Sequence, residues 1–243
     1  GLQESYDNSG LIVGCEDKPI HSALVCVDIT EPVMNEAIET GADMIISHHP
    51  AIFHALKRLN SASYIQRVVE TAIKHDIALY ACHTNLDSAP DGMSFRLAEI
   101  LGIKSPELLA SRPTGGSGFG IVGNIEPTET TEFLRRVKDR LDIKAVRHSR
   151  IVHDTICRVA LCTGAGASLA GDARRAGAQL YMAADFKYND FLDADRELII
   201  ADIGHFESEY CAIDLIIDII RKKFPNFALR KSKCSRNPIN YLV

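Results

Sequence analysis

Met44-Ile45-Ile46-Ser47-His48-His49-Pro50 is a short β-branched run that opens into two histidines. Short apolar runs alternating with longer segments of helical period read as strands covered by helices. Two further runs end in the same way. Ala78-Leu79-Tyr80-Ala81-Cys82 leads into His83, and Leu198-Ile199-Ile200-Ala201-Asp202 leads, through Ile203-Gly204, into His205. Each strand delivers histidine at its carboxyl end. In open α/β sheets ligands bind at that edge, because the loops leaving the strand tips line a crevice that packed helices cannot fill.

Outward from these runs, strands are expected at Ala23 to Ile29, Met44 to Ser47, Ile77 to Cys82, Gly120 to Ile125, Ile156 to Cys162, Gln179 to Met182 and Leu198 to Asp202. Thr30 reads as the cap of a helix through Glu39 that stops at Gly41, with Glu31 and Pro32 in its first turn. Ser61 or Ser63 opens a second helix to about His75, with Ile65, Val68, Val69, Ala72 and Ile73 along one stripe. Further helices are expected at Met93 to Leu101, Thr128 to Leu141, Leu169 to Ala176 and, long and amphipathic, Glu207 to Lys223. The stretch from Ser105 to Gly120 is rich in Pro, Gly and Ser and reads as the boundary between two α/β halves. This divides the chain into 1–110, completed by the C-terminal segment, and 111–243. Tyr6-Asp7-Asn8-Ser9-Gly10 is loop chemistry with nothing before it, as though a native segment preceded Gly1.

The bulk composition narrows the function. With 243 residues, 46% of them hydrophobic, the chain can bury a sizeable core. A formal net charge of -5 gives no broad cationic field for a phosphate backbone, so nucleic-acid binding is disfavoured. No run approaches the roughly 18 to 20 apolar residues of a membrane span, and no signal-peptide pattern begins the chain, so a cytoplasmic protein is expected. The seven cysteines are odd in number and never form Cys-x-x-Cys, which fits reduced thiols better than a disulfide framework or a thiolate zinc site.

Two of the three histidine clusters add a carboxylate four residues on, His83/Asp87 and His205/Glu209, and i and i+4 share one face of a helical turn. Consecutive side chains of an extended segment point in opposite directions, so His48 and His49 do not chelate one ion easily, whereas two ions use both. Four imidazoles with Asp87 and Glu209 form a mixed N/O set suited to two divalent ions, Zn, Fe, Mn, Co or Ni, rather than an all-oxygen cage. A single carboxylate can bridge ions roughly 3.5 to 4 Å apart. Singly, a His-His pair is usually decoration and His-x-x-x-Glu a solvated helical pair; three clusters at strand tips carry the metal reading together. His21, His54, His75, His148 and His153 lack that context and read as structural. Thr163-Gly164-Ala165-Gly166-Ala167 reads either as a phosphate cradle lacking its Lys or as a tight strand-to-helix turn. Asp185 and Lys187 read as a capping acid and a solvated cation, or as neighbours of the same crevice.

Taken in order, Tyr6-Asp7-Asn8-Ser9-Gly10-Leu11, Ser47-His48-His49-Pro50, His83-Thr84-Asn85-Leu86-Asp87 and Gly204-His205-Phe206-Glu207-Ser208-Glu209 closely resemble the Nif-three-like family, also labelled GTP cyclohydrolase 1 type 2 homologues. The resemblance spans nearly the whole chain. It implies an α/β fold of two related halves, mixed sheets covered by helices, with a dinuclear metal centre in the cleft between them. It also implies a hexameric ring built as a trimer of dimers. By the same resemblance His48, His49, Asp87, His205 and Glu209 match metal ligands, Glu209 as the bridging carboxylate, and His83 matches a histidine facing the site that either supports the ligands from behind or shuttles a proton. The chain departs from the family where Ala183-Ala184 stands in place of Thr-Gly before Asp185, and Ile12 in place of Gln.

The expected function is a metal-dependent hydrolase acting on a small molecule, a nucleotide or related heterocycle, with GTP ring opening implied by the family label. The rival expectation is a protein without chemistry, storing metal or serving as a ring-shaped interaction scaffold.

Overall fold

The computed structural model describes residues 2–112, 115–194 and 196–242. The chain forms two compact units, Gly1–Leu86 with Ala212–Pro238, and Asp87–Cys211 with Ile239–Val243. The first unit opens with β1 (Gly10–Val13), β2 (Ser22–Cys26), α1 (Glu31–Thr40), β3 (Met44–Ser47), α2 (Tyr64–Lys74), β4 (Ala78–Ala81) and the single turn α3 (Thr84–Asp87), whose last residue begins the second unit. Local chemistry sets the helix ends. Thr30 Oγ1 accepts from the Val33 N–H, and Gly41 closes α1 in the left-handed conformation, at φ 64°. Ser63 caps α2 in the same way.

The second unit contains α4 (Met93–Leu101), β5 (Lys104–Ser111), β6 (Gly118–Glu129), α5 (Thr130–Arg140), β7 (Arg147–His148), β8 (Thr155–Ala165), α6 (Ala170–Arg175), β9 (Leu180–Ala184), α7 (Tyr188–Asp193), β10 (Ile199–Asp202) and α8 (His205–Glu209). The chain then returns to the first unit as α9 (Ala212–Lys223) and β11 (Ala228–Lys231).

Each unit is a mixed sheet flanked by helices. The first sheet has the order β1-β4-β3-β2-β11, its four later-paired strands parallel and β1 antiparallel at the edge. Its register aligns Cys26 with Ser47 and Ser47 with Ala81, so Asp28, His48, His49 and His83 all leave the sheet at one edge. Leu24, Ile45 and Leu79 face Val33, Met34, Val68 and Ala72 of the covering helices in one core. The second sheet has the order β5-β6-β8-β9-β10-β7, with β8, β9 and β10 parallel. Ala165 pairs with Ala184, and Asp202 with Ala183, which brings Gly164, Asp185 and the Gly204-His205 turn to the carboxyl edge of that sheet. Tyr181, Phe186, Leu198 and Ile200 anchor its core.

The structure departs from the sequence reading in several elements. The supposed linker from Ser105 to Gly120 is mostly a hairpin of β5 and β6; Pro113 and Thr114 lie outside the described residues, as does Gly1. The division between units falls at Leu86 and Asp87, inside α3, instead of in that hairpin. Gly10–Val13, where no strand was expected, is an edge strand, and the long helix expected from Glu207 is two helices, α8 and α9. The cysteines divide: Cys26, Cys162 and Cys211 are buried, while Cys15 and Cys157 are exposed, and all seven are free thiols.

Candidate metal centre

Three histidines converge at the edge of the first sheet. His48 and His49 continue the β3 ladder, their N–H groups donating to the carbonyls of Cys26 and Val27 at 3.1 and 3.0 Å. His83 follows β4 and enters α3. The ring centroids of His48 and His49 lie 5.0 Å apart, and each lies 5.4 Å from that of His83. One ligand-capable atom from each of the three falls within 4.8 Å of the others.

The hydrogen bonds decide which atom that is. Nδ1 of His48 donates to the Cys82 carbonyl at 2.7 Å, Nδ1 of His49 to Asp28 Oδ1 at 2.8 Å, and Nδ1 of His83 to Asp7 Oδ1 at 2.6 Å. Carbonyl and ionised carboxylate oxygens only accept, so each Nδ1 carries the proton and each Nε2 keeps its lone pair. An outer acceptor on Nδ1 that fixes the tautomer and raises the basicity of Nε2 is the usual companion of a metal-ligating histidine.

The second unit repeats the device. Gly204, at φ 78°, turns the chain from β10 into α8, so that His205 and Glu209 stand one helical turn apart. His205 Nδ1 donates to Asp185 Oδ2 at 2.7 Å, and its Nε2 lies 3.1 Å from Glu209 Oε2. Glu209 is buried and lies against Gly164, where a Cβ would stand 2.1 Å from Oε1 and 3.4 Å from His205 Nε2. The Gly164 N–H donates to Ser208 Oγ at 3.0 Å, which ties β8 to α8. Asp87 sits at the end of α3, and its charge, with that of Glu209, acts on the buried thiol of Cys162 in β8. Thus Asp87, His205 and Glu209 belong to one unit, while His48, His49 and His83 belong to the other.

Protonation follows from this packing. Burial and the neighbouring imidazoles depress His83, against the pull of Asp7. Burial opposes charge on Asp7 too, but donation from His83, Thr84, Ser9 and the Asn8 N–H outweighs it and holds the carboxyl well below the usual range. His205 moves the other way: burial resists its charge, yet Glu209 and Asp185 carry it up to about 9. At neutral pH a proton therefore occupies the line between His205 Nε2 and Glu209. His205 and Glu209 would hold a divalent cation in exchange for that proton. Burial first, then Asp87 and Glu209, raise the Cys162 thiol to about 12, so it stays neutral beside the carboxylates.

These residues fit divalent metal. Imidazole Nε2 and carboxylate oxygen are the borderline donors that Zn, Fe, Mn, Co and Ni accept. The sequence reading gave no role to Asp7 or Asp28, and of its two readings of Asp185, a capping acid or a neighbour of the crevice, the contact with His205 favours the second. Asp185 does not cap α7, a role taken by Lys187 with Asp190; it adopts φ 60° and turns to His205. The signal was an acid directly after an apolar strand, as in Val25-Cys26-Val27-Asp28 and Met182-Ala183-Ala184-Asp185. The glycines of Thr163-Gly164-Ala165-Gly166 serve close packing: a Cβ on Gly166 would meet Ala183 Cβ at 2.6 Å and the Tyr181 hydroxyl at 2.7 Å. Of the remaining histidines, His148 pairs with the Ser149 carbonyl and His153 with that of Glu197.

Known proteins with this sequence and fold point in one direction. A GTP cyclohydrolase 1 type 2 homolog of Clostridium perfringens is 32% identical over 99% of this chain and 94% of its own. One of Streptococcus pneumoniae is 33% identical over 97% of this chain and 92% of its own. Among crystal structures, a Staphylococcus aureus hypothetical protein superposes with a TM-score of 0.91 at 27% identity, covering 99% of this chain and 94% of that one. A Bacillus cereus protein related to NIF3 shares the fold, with a TM-score of 0.90 at 24% identity, over 99% of this chain and 94% of that one. The family model for Duf34/NIF3 (NGG1p interacting factor 3) matches residues 1–238, and the chain belongs to that family.

Proposed function

We propose that this protein is a metal-dependent hydrolase with a dinuclear centre, its ligands His48, His49, Asp87, His205 and Glu209, acting on a nucleotide or related heterocycle. The observation that carries the metal reading is the common state of the histidines. In all four, Nδ1 is committed to an oxygen acceptor, which leaves Nε2 of His48, His49 and His205 as the ligand atom and Nε2 of His83 for a proton. Glu209 Oε2 beside His205 Nε2 adds a carboxylate placed to share an ion.

Bound divalent ions would supply Lewis acidity, acidifying water and stabilising negative charge on oxygen. The chain supplies the rest. Asp28 and Asp185 hold the imidazoles of His49 and His205 in orientation, and Ser208 with Gly164 fixes α8 against β8. His83, half-buried and kept neutral by its surroundings, is the group suited to accept a proton at Nε2. The relatives' label as GTP cyclohydrolase homologues supports GTP as the first substrate to try. The family resemblance carries the further proposal of a cytoplasmic homohexamer, a trimer of dimers, whose assembly light scattering on the purified protein tests; among the described residues no helix is long and apolar enough to cross a membrane.

The test is turnover of GTP and a panel of phosphoesters by metal-loaded protein. Hydrolysis that disappears on chelation and in His49→Ala supports the proposal. Metal bound at these residues with no turnover of any substrate would leave a storage or scaffold role in its place.

A further inference from the structure

The Tyr6-Asp7-Asn8-Ser9-Gly10 segment has no part in the ligand set, yet it holds a buried and heavily hydrogen-bonded carboxylate. Asp7 has no exposed side-chain surface. Oδ1 accepts from His83 Nδ1 at 2.6 Å and from the Asn8 N–H at 2.7 Å. Oδ2 accepts from the Thr84 N–H at 3.1 Å, Thr84 Oγ1 at 2.6 Å and Ser9 Oγ at 2.7 Å. Five donors therefore converge on two oxygens. A carboxylate so placed remains an anion and can only accept, which forces the His83 proton onto Nδ1. The segment is itself tied down: Glu4 N–H donates to Thr84 Oγ1 at 3.0 Å, and Asn8 Nδ2 donates to the Ile52 carbonyl at 2.6 Å. From the other side Phe53 packs edge-on against the His83 ring, with centroids 6.0 Å apart and planes at 83°. The imidazole is held at one nitrogen and at one edge, and Nε2 is the atom left toward His48 and His49.

We infer that Asp7 is a positioning residue for His83: it fixes the Nδ1–H tautomer so that Nε2 accepts the proton in the reaction proposed above, on which this role rests. An acid behind a histidine base acts in this way in the serine-protease triad, by setting tautomer and orientation without taking the proton itself. Proton transfer to a positioned base contributes about 10²- to 10⁴-fold in rate. Loss of the wrong-tautomer safeguard should therefore cost turnover and leave the metal in place.

Nitrogen-proton correlation NMR of the histidine rings in metal-free protein reads the tautomer without any substrate. Wild type is expected to show His83 protonated at Nδ1. Asp7→Ala is expected to shift the population to Nε2–H, and Ser9→Ala, which removes one donor and leaves the carboxylate, to keep the wild-type tautomer. Asp7→Asn, closest in shape, serves if the alanine variant does not fold. Metal content of the Asp7 variant should equal wild type, while any GTP turnover falls about 10²-fold or more, with no further loss when His83→Ala is added. An Nε2–H tautomer in wild type, an unchanged tautomer in both Asp7 variants, or loss of metal with Asp7 would overturn the assignment. Absence of wild-type turnover would defeat the hydrolase reading alone, since the tautomer is measured independently of it.

Discussion

Exchanging Asp185 for asparagine leaves an acceptor at His205 Nδ1 and removes its charge, so the ligating nitrogen becomes a weaker donor. Outer partners of this kind are worth about 10- to 100-fold in metal affinity. We expect that loss in Asp185→Asn, and a similar one in Asp28→Asn through His49, measured by competition with a chromogenic chelator; unchanged affinity in both would remove the carboxylates from the centre. Gly164→Ala tests the cradle of Glu209. Its φ of 63° penalises any side chain, and the added Cβ would stand 2.1 Å from Oε1. It should lose about 1 to 3 kcal/mol of stability together with metal at the His205/Glu209 pair. A glycine that served only the backbone turn would lose stability and keep the metal. At this scale the histidines were legible because apolar runs pointed to them. Their partners were not: His49 and Asp28 stand 21 residues apart, His83 and Asp7 76, and His205 and Asp185 20. An isolated acid after a strand reads as a helix cap until the fold brings its partner near.

Among the elements, those bounded by strong local chemistry were readable. α1 lies between Thr30 and Gly41 where the capping signals put it, and β3 and α4 have the bounds their apolar patterns imply. Edge strands were not readable. β5 carries Lys104, Pro106 and Glu107, which suit an exposed edge and hide the alternation of a buried strand. β11 is too short and too charged to stand out, and it is held from outside itself. Glu36 of α1 accepts from Ser232 Oγ at 2.6 Å and from the N–H groups of Lys233 and Cys234 at 3.0 and 3.1 Å, fastening the segment after β11. Burial raises the Glu36 pKa, but these donors outweigh it and the net shift is downward. The sign follows: the clamp stabilises the fold above the pKa of an unfolded glutamate and is lost as pH falls through the lower folded value. Glu36→Gln should cost about 1 to 2 kcal/mol at neutral pH and flatten the acid limb of the stability curve in urea titrations between roughly pH 3 and 5. An acid limb identical to wild type would show that Glu36 does not fasten this segment.

For the whole molecule, the composition pointed to mixed α/β units, while the place where one unit gives way to the other was marked only weakly. Leu86 and Asp87 lie inside a helical turn, and Pro90 and Gly92 just past it form a shorter signal than the Ser105 to Gly120 stretch, most of which pairs as the β5–β6 hairpin. Metal should stabilise the folded chain, because the unfolded chain lacks any preformed set of donors. At free metal about 100 times its dissociation constant, binding contributes about 2.7 kcal/mol, or roughly 5 to 10 °C in melting temperature for a chain of this size. Calorimetry of chelated and reloaded protein should show that rise, and His48→Ala with His205→Ala should together lose no more of it than the larger single effect if the two donor sets serve one centre.

Anomalous diffraction from crystals of the metal-loaded protein, collected on both sides of the absorption edge of the loaded ion, decides the central claim. It should show two ions ligated through Nε2 of His48, His49 and His205 and the carboxylates of Asp87 and Glu209. Anomalous peaks elsewhere with none at these donors, or ligation through Nδ1, would contradict it.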